Sequence, residues 1–141
     1  MVIRDFRPED AESLESVLTA IGALSHPEID GCEAMLRVHA CPAAVFLVAE
    51  VNEVPVGLIR GVYDGSRALI HVLAVHPDFQ GRGIGTALVR EIARQFKARG
   101  APTLGVTAAE RSVGFWEGLT FRASAQYMVA FDIERLIEEV R

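Results

Sequence analysis

Cysteine is scarce in this sequence, which has only Cys32 and Cys41 among its 141 residues. Their spacing matches no metal-binding or redox motif. We therefore expect two reduced thiols, no metal site and a cytoplasmic location. Either thiol has the chemistry of a catalytic nucleophile, but nothing in the sequence around it favours that role.

Long apolar runs and blocks of basic residues are also absent. No apolar stretch approaches the ~20 residues that a membrane-spanning helix needs, and residues 1–5 do not open a signal-peptide-like segment. The formal net charge is −5, with charges of both signs interspersed and no lysine–arginine block. Nucleic-acid-binding proteins normally carry a basic patch. We expect neither a membrane nor a nucleic acid as a partner.

The sequence does have enough apolar content for one compact domain. Apolar residues make up 50% of the 141, which suffices to bury a sizeable core. We find no repeat, low-complexity segment or linker, so we expect a single domain over residues 1–141. Apolar periodicity and turn residues predict its elements. The predicted strands are 2–6, 46–51, 55–59, 69–75, 103–106 and 122–131, and the predicted helices begin at Pro8, follow Asp30 as cap, and span 82–99 (from Arg82 or Gly83), 112–119 and 133–140.

The most informative segment joins the strand ending at Val75 to a helix. A polar loop, residues 76–80, leads into three alternating glycines, Gly81, Gly83 and Gly85. The first N–H groups of a helix have no intrahelical partner, and the helix dipole is positive there. Glycines let such a backbone approach a ligand closely. The segment therefore predicts a socket for a phosphate or pyrophosphate group.

The glycine spacing excludes two common phosphate loops. A dinucleotide loop needs Gly-x-Gly-x-x-Gly directly after the strand, and a nucleoside triphosphate loop needs Gly-Lys-Ser/Thr. Here the order is Gly-x-Gly-x-Gly, and no lysine precedes Thr86. The pattern Gln-x-x-Gly-x-Gly at Gln80, Gly83 and Gly85, behind Leu-Ala-Val-His-Pro, resembles the coenzyme A pyrophosphate loop of the GNAT family of acetyl-CoA-dependent N-acyltransferases. The alternative is a glycine-rich turn that only starts a helix.

The order of predicted elements is also similar to the GNAT fold, most clearly over residues 46–121, and residues 63–67 are similar to a hairpin of a small bacterial subgroup. The resemblance implies an α/β (α+β) fold with a mixed, mostly antiparallel sheet flanked by helices. It implies acetyl-CoA as cosubstrate, held by the main chain of one strand and by the glycine loop. The residues that it implicates are Leu73, Val75, Gln80, Gly81, Arg82, Gly83, Ile84, Gly85, Thr86 and Trp116; for the Arg82 side chain, a solvated loop residue is the alternative.

Acyl transfer to an amine needs a base, because a lysine-type amine has a pKa near ~10.4 and arrives protonated. His71 is the best candidate, since imidazole titrates near neutrality. Strand alternation predicts that His71, Leu73 and Val75 share one face. Some GNAT amine acetyltransferases carry a histidine at this place, which implies a proton relay. The alternative is a histidine hydrogen-bonded within a half-buried sheet.

Two other titratable residues are weaker candidates. Glu50 in the second strand is a further base or acceptor ligand, but an edge-exposed, solvated carboxylate is the favoured interpretation. His76 begins the glycine loop, where the family often has histidine or asparagine beside proline. We expect His76 to structure the loop rather than to act as a base.

Residues 109–121 resemble the second family motif and depart from it twice. Ala109 stands where an asparagine commonly helps to bind the cofactor, and Trp116 stands where a tyrosine commonly protonates the departing thiolate. An indole N–H has no useful acidity. Tyr127, on the predicted last strand, is the one downstream phenol that could substitute, although a structural tyrosine is favoured there.

These expectations describe an N-acetyltransferase that moves an acetyl group to a primary amine by direct attack in a ternary complex. A small-molecule acceptor is slightly favoured over a protein N-terminus or lysine, and the negative net charge mildly favours a cationic acceptor. The missing tyrosine and asparagine motivate another class, a non-catalytic acyl-CoA-binding regulator. The sequence does not name the acceptor, and it leaves open whether the chain forms a homodimer.

Overall fold

The computed structural model describes residues 1–138. The Cα packing divides the chain into two compact units, one from Met1 to Thr107 and one that begins at Ala108. A single domain over residues 1–141 stays a prediction.

The first unit is built on one sheet of five strands in the order β1-β2-β3-β4-β5. The neighbours β1 to β4 pair antiparallel, and β4 pairs with β5 in parallel. This confirms the predicted mixed, mostly antiparallel sheet. The strands are β1 (Val2–Asp5), β2 (Ala44–Val51), β3 (Val54–Tyr63), β4 (Ala68–Val75) and β5 (Leu104–Val106).

Six α-helices accompany the strands in the described residues, and three short 3-10 turns precede α1, α4 and α5 at Pro8–Asp10, Pro77–Phe79 and Glu110–Ser112. Among residues 1–138, no helix is long and apolar enough to cross a membrane. The helices are α1 (Ala11–Ala20), α2 (Pro27–Asp30), α3 (Cys32–His39), α4 (Ile84–Ala98), α5 (Val113–Gly118) and α6 (Ile133–Ile137).

The sheet buries apolar side chains on both faces. On one face, α1 and α3 pack against β2, β3 and β4; the buried cluster there includes Phe6, Leu14, Leu18, Met35, Phe46, Val48, Leu58 and Ala74. On the other face lies α4, whose buried residues recur every four positions as Ile84, Leu88, Ile92 and Phe96. Burying each such side chain contributes roughly 1.5–3 kcal/mol. Helix α4 thereby fixes the position of the loop that precedes it.

Asp30 does not cap the second helix as predicted. It ends α2, and Gly31 takes the cap position of α3. The Asp30 carboxylate instead accepts a hydrogen bond from Arg60 on β3 at 2.7 Å. The N–H of Cys32, in the first turn of α3, donates to the Glu15 carboxylate at 2.8 Å. Both partners are distant in sequence, so the local pattern could not show them.

The predicted last strand is wrong. Residues 122–131 form no strand, and Met128 is 83% exposed. A strand needs a hydrogen-bonded neighbour, which local β propensity does not supply. The predicted terminal helix begins at Ile133 and ends at Ile137, and residues 139 and 140 lie outside the described part of the chain.

Candidate functional site

The glycine loop has the backbone that its sequence predicts. Gly81 and Gly83 have φ angles of +77° and +80°, a region that side chains other than glycine rarely adopt. A Cβ added at either position would meet no described heavy atom within 4 Å. The glycines are therefore required by the backbone conformation, and the surface beside them is open to a ligand.

The amino terminus of α4 points its free donors into this loop region. Gly83 is the cap residue, and the N–H of Ala87 donates to its carbonyl oxygen at 3.0 Å. The N–H groups of Ile84, Gly85 and Thr86 precede this first intrahelical bond. Together with the positive end of the helix dipole, they form a site suited to an anion.

Side chains within the loop hold it in shape. The Nδ1 atom of His76 accepts a hydrogen bond from the N–H of Asp78 at 3.1 Å, which gives His76 the structuring role expected of it. The Arg82 guanidinium donates to the carbonyl of Asp78 at 3.2 Å and lies 4.9 Å from the centre of the Phe79 ring. The Arg82 side chain is thus exposed but folded back onto the loop.

Strand β4 has a partly open edge next to the loop. It pairs with β5 only from Ala68 to Ile70. The N–H of His76 donates to Val56 on β3, and successive residues of a strand direct their main-chain groups to opposite edges. The groups of Leu73 and Val75 therefore point away from β3. The Val75 carbonyl accepts from the Gln80 side-chain amide at 2.9 Å, which ties the loop to this edge.

His71 lies in a β-bulge, which removes the basis of one prediction. Gly61 pairs with Ile70 and Arg60 pairs with Val72, so β4 has one extra residue between them. The shift ends strict alternation at this residue, so alternation no longer places His71 on the face of Leu73 and Val75. Those two residues pair with Ile59 and Gly57, and a Cβ on Gly57 would contact Leu88 of α4. The charges of Arg60 and Asp30 act on the His71 imidazole, and Arg60 shares a face of β3 with Leu58, on which α1 and α3 pack.

The environment of His71 favours its neutral form. Desolvation by the surrounding protein lowers the pKa of the imidazole below its usual range, even though the residue is exposed, and the Arg60 guanidinium lowers it further. The carboxylate of Asp30 opposes both effects. At neutral pH the imidazole is thus uncharged and able to accept a proton.

Arg60 is a residue that sequence reasoning missed. It is only 7% exposed, and its Nη2 atom donates to the Ile29 carbonyl at 3.0 Å and to Asp30 at 2.7 Å. Burying an arginine without a charged partner destabilises the fold, and the Asp30 carboxylate supplies that partner. The available signal was an arginine inside an otherwise apolar strand, at Leu58-Ile59-Arg60-Gly61.

Glu50, the weaker base candidate, is part of a structural ion-pair network. Its Oε2 atom accepts from Nε of Arg4 at 2.9 Å. Arg4 also donates from both terminal nitrogens to Asp10, at 2.8 and 2.9 Å. Burial raises the pKa of Asp10, but hydrogen bonds from Arg4 and from the Arg7 N–H outweigh burial and lower it. The network joins β1, β2 and the start of α1, which is the role the geometry gives Glu50.

The remaining predicted residues lie in the second unit. Trp116 on α5 is buried, with ring centres 5.0 Å from Phe115 and 5.1 Å from Phe121. Tyr127 is 65% exposed in an irregular segment, so its predicted place on a strand is wrong. The roles of Trp116 at the cofactor and of Tyr127 as an acid stay predictions.

Other reactive groups do not form a second site. Burial, and then the neighbouring Glu15, raise the pKa of the Cys32 thiol to about 11, which keeps it protonated and unreactive. Cys41 is an exposed free thiol. Within residues 1–138, no group of three or more His, Cys, Asp or Glu side chains could hold a metal ion. A shallow groove beside α4, lined by Ile3, Ala87, Arg90, Glu91 and Arg94, contains none of the predicted site residues.

Sequence comparison with known proteins identifies one family model and a relative that are both acetyltransferases. The model of the acetyltransferase (GNAT) family matches residues 16–121. An acetyltransferase of Pectobacterium atrosepticum is 36% identical over 127 residues, which cover 86% of this chain and 87% of that protein.

Solved structures share the fold at lower identity. A protein from Bacillus halodurans described as a transcriptional regulator has a TM-score of 0.80 and 23% identity, covering 93% of this chain and 99% of its own. The PaiA N-acetyltransferase of Thermoplasma acidophilum, solved in complex with coenzyme A, has a TM-score of 0.71 and 20% identity, covering 84% and 86%.

Proposed function

Because the chain belongs to the GNAT family of acetyltransferases, we propose that it transfers an acetyl group from acetyl-CoA to a primary amine by direct attack in a ternary complex. One observation carries the proposal. An open glycine loop, with Gly81 and Gly83 at positive φ, leads from the partly unpaired edge of β4 into the amino terminus of α4.

The residues present fit acetyl-CoA at this place. The N–H groups of Ile84, Gly85 and Thr86, with those of the loop from Gln80 to Gly83, would hold its pyrophosphate. The outward-facing main chain of Leu73 and Val75 would pair with its pantetheine arm. When bound, acetyl-CoA supplies an activated thioester. The chain contributes orientation, because fixing two reactants side by side removes several kcal/mol from the barrier.

His71 is the residue that we propose as the proton acceptor. Its neutral imidazole takes a proton from the acceptor ammonium, directly or through a water molecule, and leaves the nucleophilic free amine. No protein acid is needed on the leaving sulfur, since a thiol with a pKa near ~8.5 leaves readily. Trp116 is compatible with this scheme, because its indole N–H has no useful acidity.

The acceptor that we favour is a small cationic amine in the cytoplasm, in keeping with the net charge of −5. Transfer to a protein N-terminus or a lysine is the alternative within the same chemistry. A non-catalytic acyl-CoA-binding regulator is the alternative of another class. Ala109 and Trp116 favour that class, and one structure of similar fold is described as a transcriptional regulator.

Amine-dependent turnover tests this function. Release of free thiol from acetyl-CoA is measured with a panel of small primary amines and with peptides that carry free N-termini or lysines. We expect at least one small amine to accelerate release, and Gly83→Asp to abolish the acceleration. Gly65→Asp is the matched control, because Gly65 also has positive φ (+97°) and open space but lies in the β3–β4 hairpin. Tight binding of acetyl-CoA without turnover by any amine would favour the regulator.

A further inference from the structure

Arg60 and Asp30 form a buried ion pair beside the bulge. The Arg60 side chain is 8% exposed and that of Asp30 is 24% exposed, with 2.7 Å between Nη2 and Oδ1. The same Nη2 atom binds the Ile29 carbonyl. The pair therefore fastens the short helix α2 to the middle of β3.

The register of β3 and β4 brings this pair to His71. Arg60 pairs with Val72, the residue that directly follows His71, and Gly61 pairs with Ile70, the residue that directly precedes it. A Cβ on Gly61 would collide with the carbonyl oxygen of Leu69, so glycine is needed for the close approach of the strands. The bulge and the pair are thus parts of one local arrangement.

The other ionisable groups near His71 belong to the strands and helices that pack around β4. Strands β4 and β5 contribute none besides His71 itself, and β3 contributes Arg60 and Tyr63. Of the helices that pack on β4, α1 carries Glu12 and Glu15, and α4 carries Arg90, Glu91, Arg94 and Lys97. Glu15 is bound to the Cys32 N–H. Arg60 and Asp30 are the two charged groups that act on the imidazole.

We propose that Arg60 and Asp30 are positioning residues that fasten α2 beside the bulge and set the charge next to His71, an inference that rests on the proposed role of His71 as proton acceptor. The two charges act in opposite directions. Arg60 lowers the pKa of His71 and Asp30 raises it, with the effect of Arg60 the larger. Neither residue needs to touch the reacting atoms.

An NMR titration of the His71 ring proton tests the pair without reference to activity. The sequence has four histidines, and His71→Ala identifies the resonance. We expect Arg60→Met to raise the pKa of His71 and Asp30→Asn to lower it. The double variant should lie between them, and Arg60→Lys should keep the wild-type value because it keeps the charge. Loss of structure alone would shift the pKa of His71 in the same direction in both single variants. That result, or an unchanged pKa in both, overturns the proposal.

The pH dependence of kcat/KM separates this inference from the proposed function. If His71 is the base, the acid limb of the profile moves to higher pH in Arg60→Met and to lower pH in Asp30→Asn, in step with the NMR titration. Opposite NMR shifts with an unmoved acid limb would support the pair and contradict His71 as the base. Should Arg60→Met fail to fold, Asp30→Asn and Arg60→Lys decide the question alone.

Discussion

The bulge in β4 and the glycine loop that follows β4 differ in how their shape is determined. The loop that follows Val75 is shaped by glycines within it, Gly81 and Gly83, whose positive φ angles are local requirements. The bulge at His71 depends on Gly61, which lies on the neighbouring strand. The proposed cofactor side of the candidate site is thus encoded locally, whereas the proposed acceptor side depends on strand register and on the Arg60–Asp30 pair.

The largest expected effect concerns the bulge. His71→Ala should lower turnover by roughly 10²–10⁴-fold, the usual contribution of a positioned general base, while acetyl-CoA binding stays intact. The loss should shrink at high pH, where the amine deprotonates unaided. Steady-state kinetics from about pH 6 to about pH 10, a range that approaches the amine pKa of ~10.4, measure the loss of turnover and its dependence on pH.

Glu50→Gln is the matched control for that experiment. Glu50 is bound to Arg4, so we expect its substitution to leave most of the activity in place. Full activity of His71→Ala near neutral pH, together with loss of activity in Glu50→Gln or Tyr127→Phe, would move the proton path away from the bulge. The acetyltransferase assignment would stand.

A second prediction tests the bulge through its partner strand. Gly61→Ala adds a methyl group against the Leu69 carbonyl, and such overpacking typically costs about 1–3 kcal/mol. Urea unfolding measures the loss. Gly114→Ala is the control, because Gly114 lies in α5 without positive φ and a Cβ there has open space. Equal stability of Gly61→Ala and the wild type would show that the strands can separate without cost, and that the bulge is not fixed by Gly61.

A third prediction concerns the Arg4–Asp10–Glu50 network, which includes no residue of β4 or of the glycine loop. Asp10→Asn should cost about 1–3 kcal/mol at neutral pH, because it weakens charge-assisted hydrogen bonds at a buried group. The pKa of Asp10 is lowered from its ordinary value of 3.8, so its contribution is complete above that value and is lost as the pH falls through the folded-state pKa. The stability difference between wild type and variant should therefore narrow in acid; a difference that does not change with pH contradicts the pairing.

The smallest effect is expected at Trp116. Trp116→Tyr restores a phenol where the family commonly has one, and we expect turnover to be unchanged or modestly increased. Trp116→Phe removes the indole without adding a phenol, so it distinguishes the effect of the new phenol from the effect of losing the indole. A large fall in turnover in both variants, with normal thermal stability, would show that the indole itself has a function that the present scheme lacks.

The comparison also explains how much could be predicted from the sequence. Local signals placed α4 within two residues of its observed bounds, because Gly83 caps it and Gly100, with φ of +103°, follows it. The same kind of signal gave the β2–β3 hairpin, where Asn52 and Glu53 adopt positive φ. Prediction failed where the determining partner is distant in sequence. Asp30 was predicted to cap a helix, but its carboxylate binds Arg60 on β3.

The candidate site also has one part with local determinants and one part with distant determinants. The course of the glycine loop from β4 into α4 was predicted from spacing, since each of its backbone requirements lies within about one turn of chain; its role as a cofactor site stays a prediction. The face of His71 could not be predicted from alternation, because one inserted residue interrupts the alternation of the strand and the insertion is visible only in the pairing of β3 with β4. The strand expected at residues 122–131 failed because pairing partners are not encoded in a single segment.

The most direct test of the central claim is acetyl-CoA binding to the glycine loop. At about 100 times its dissociation constant, acetyl-CoA should stabilise the wild type by about 2.7 kcal/mol, and NAD or ATP should stabilise it much less. Gly83→Asp places a side chain and a negative charge in the phosphate socket and should abolish the stabilisation, whereas Gly65→Asp should retain it. No stabilisation by acetyl-CoA, an equal effect of NAD, or normal binding by folded Gly83→Asp would contradict the account.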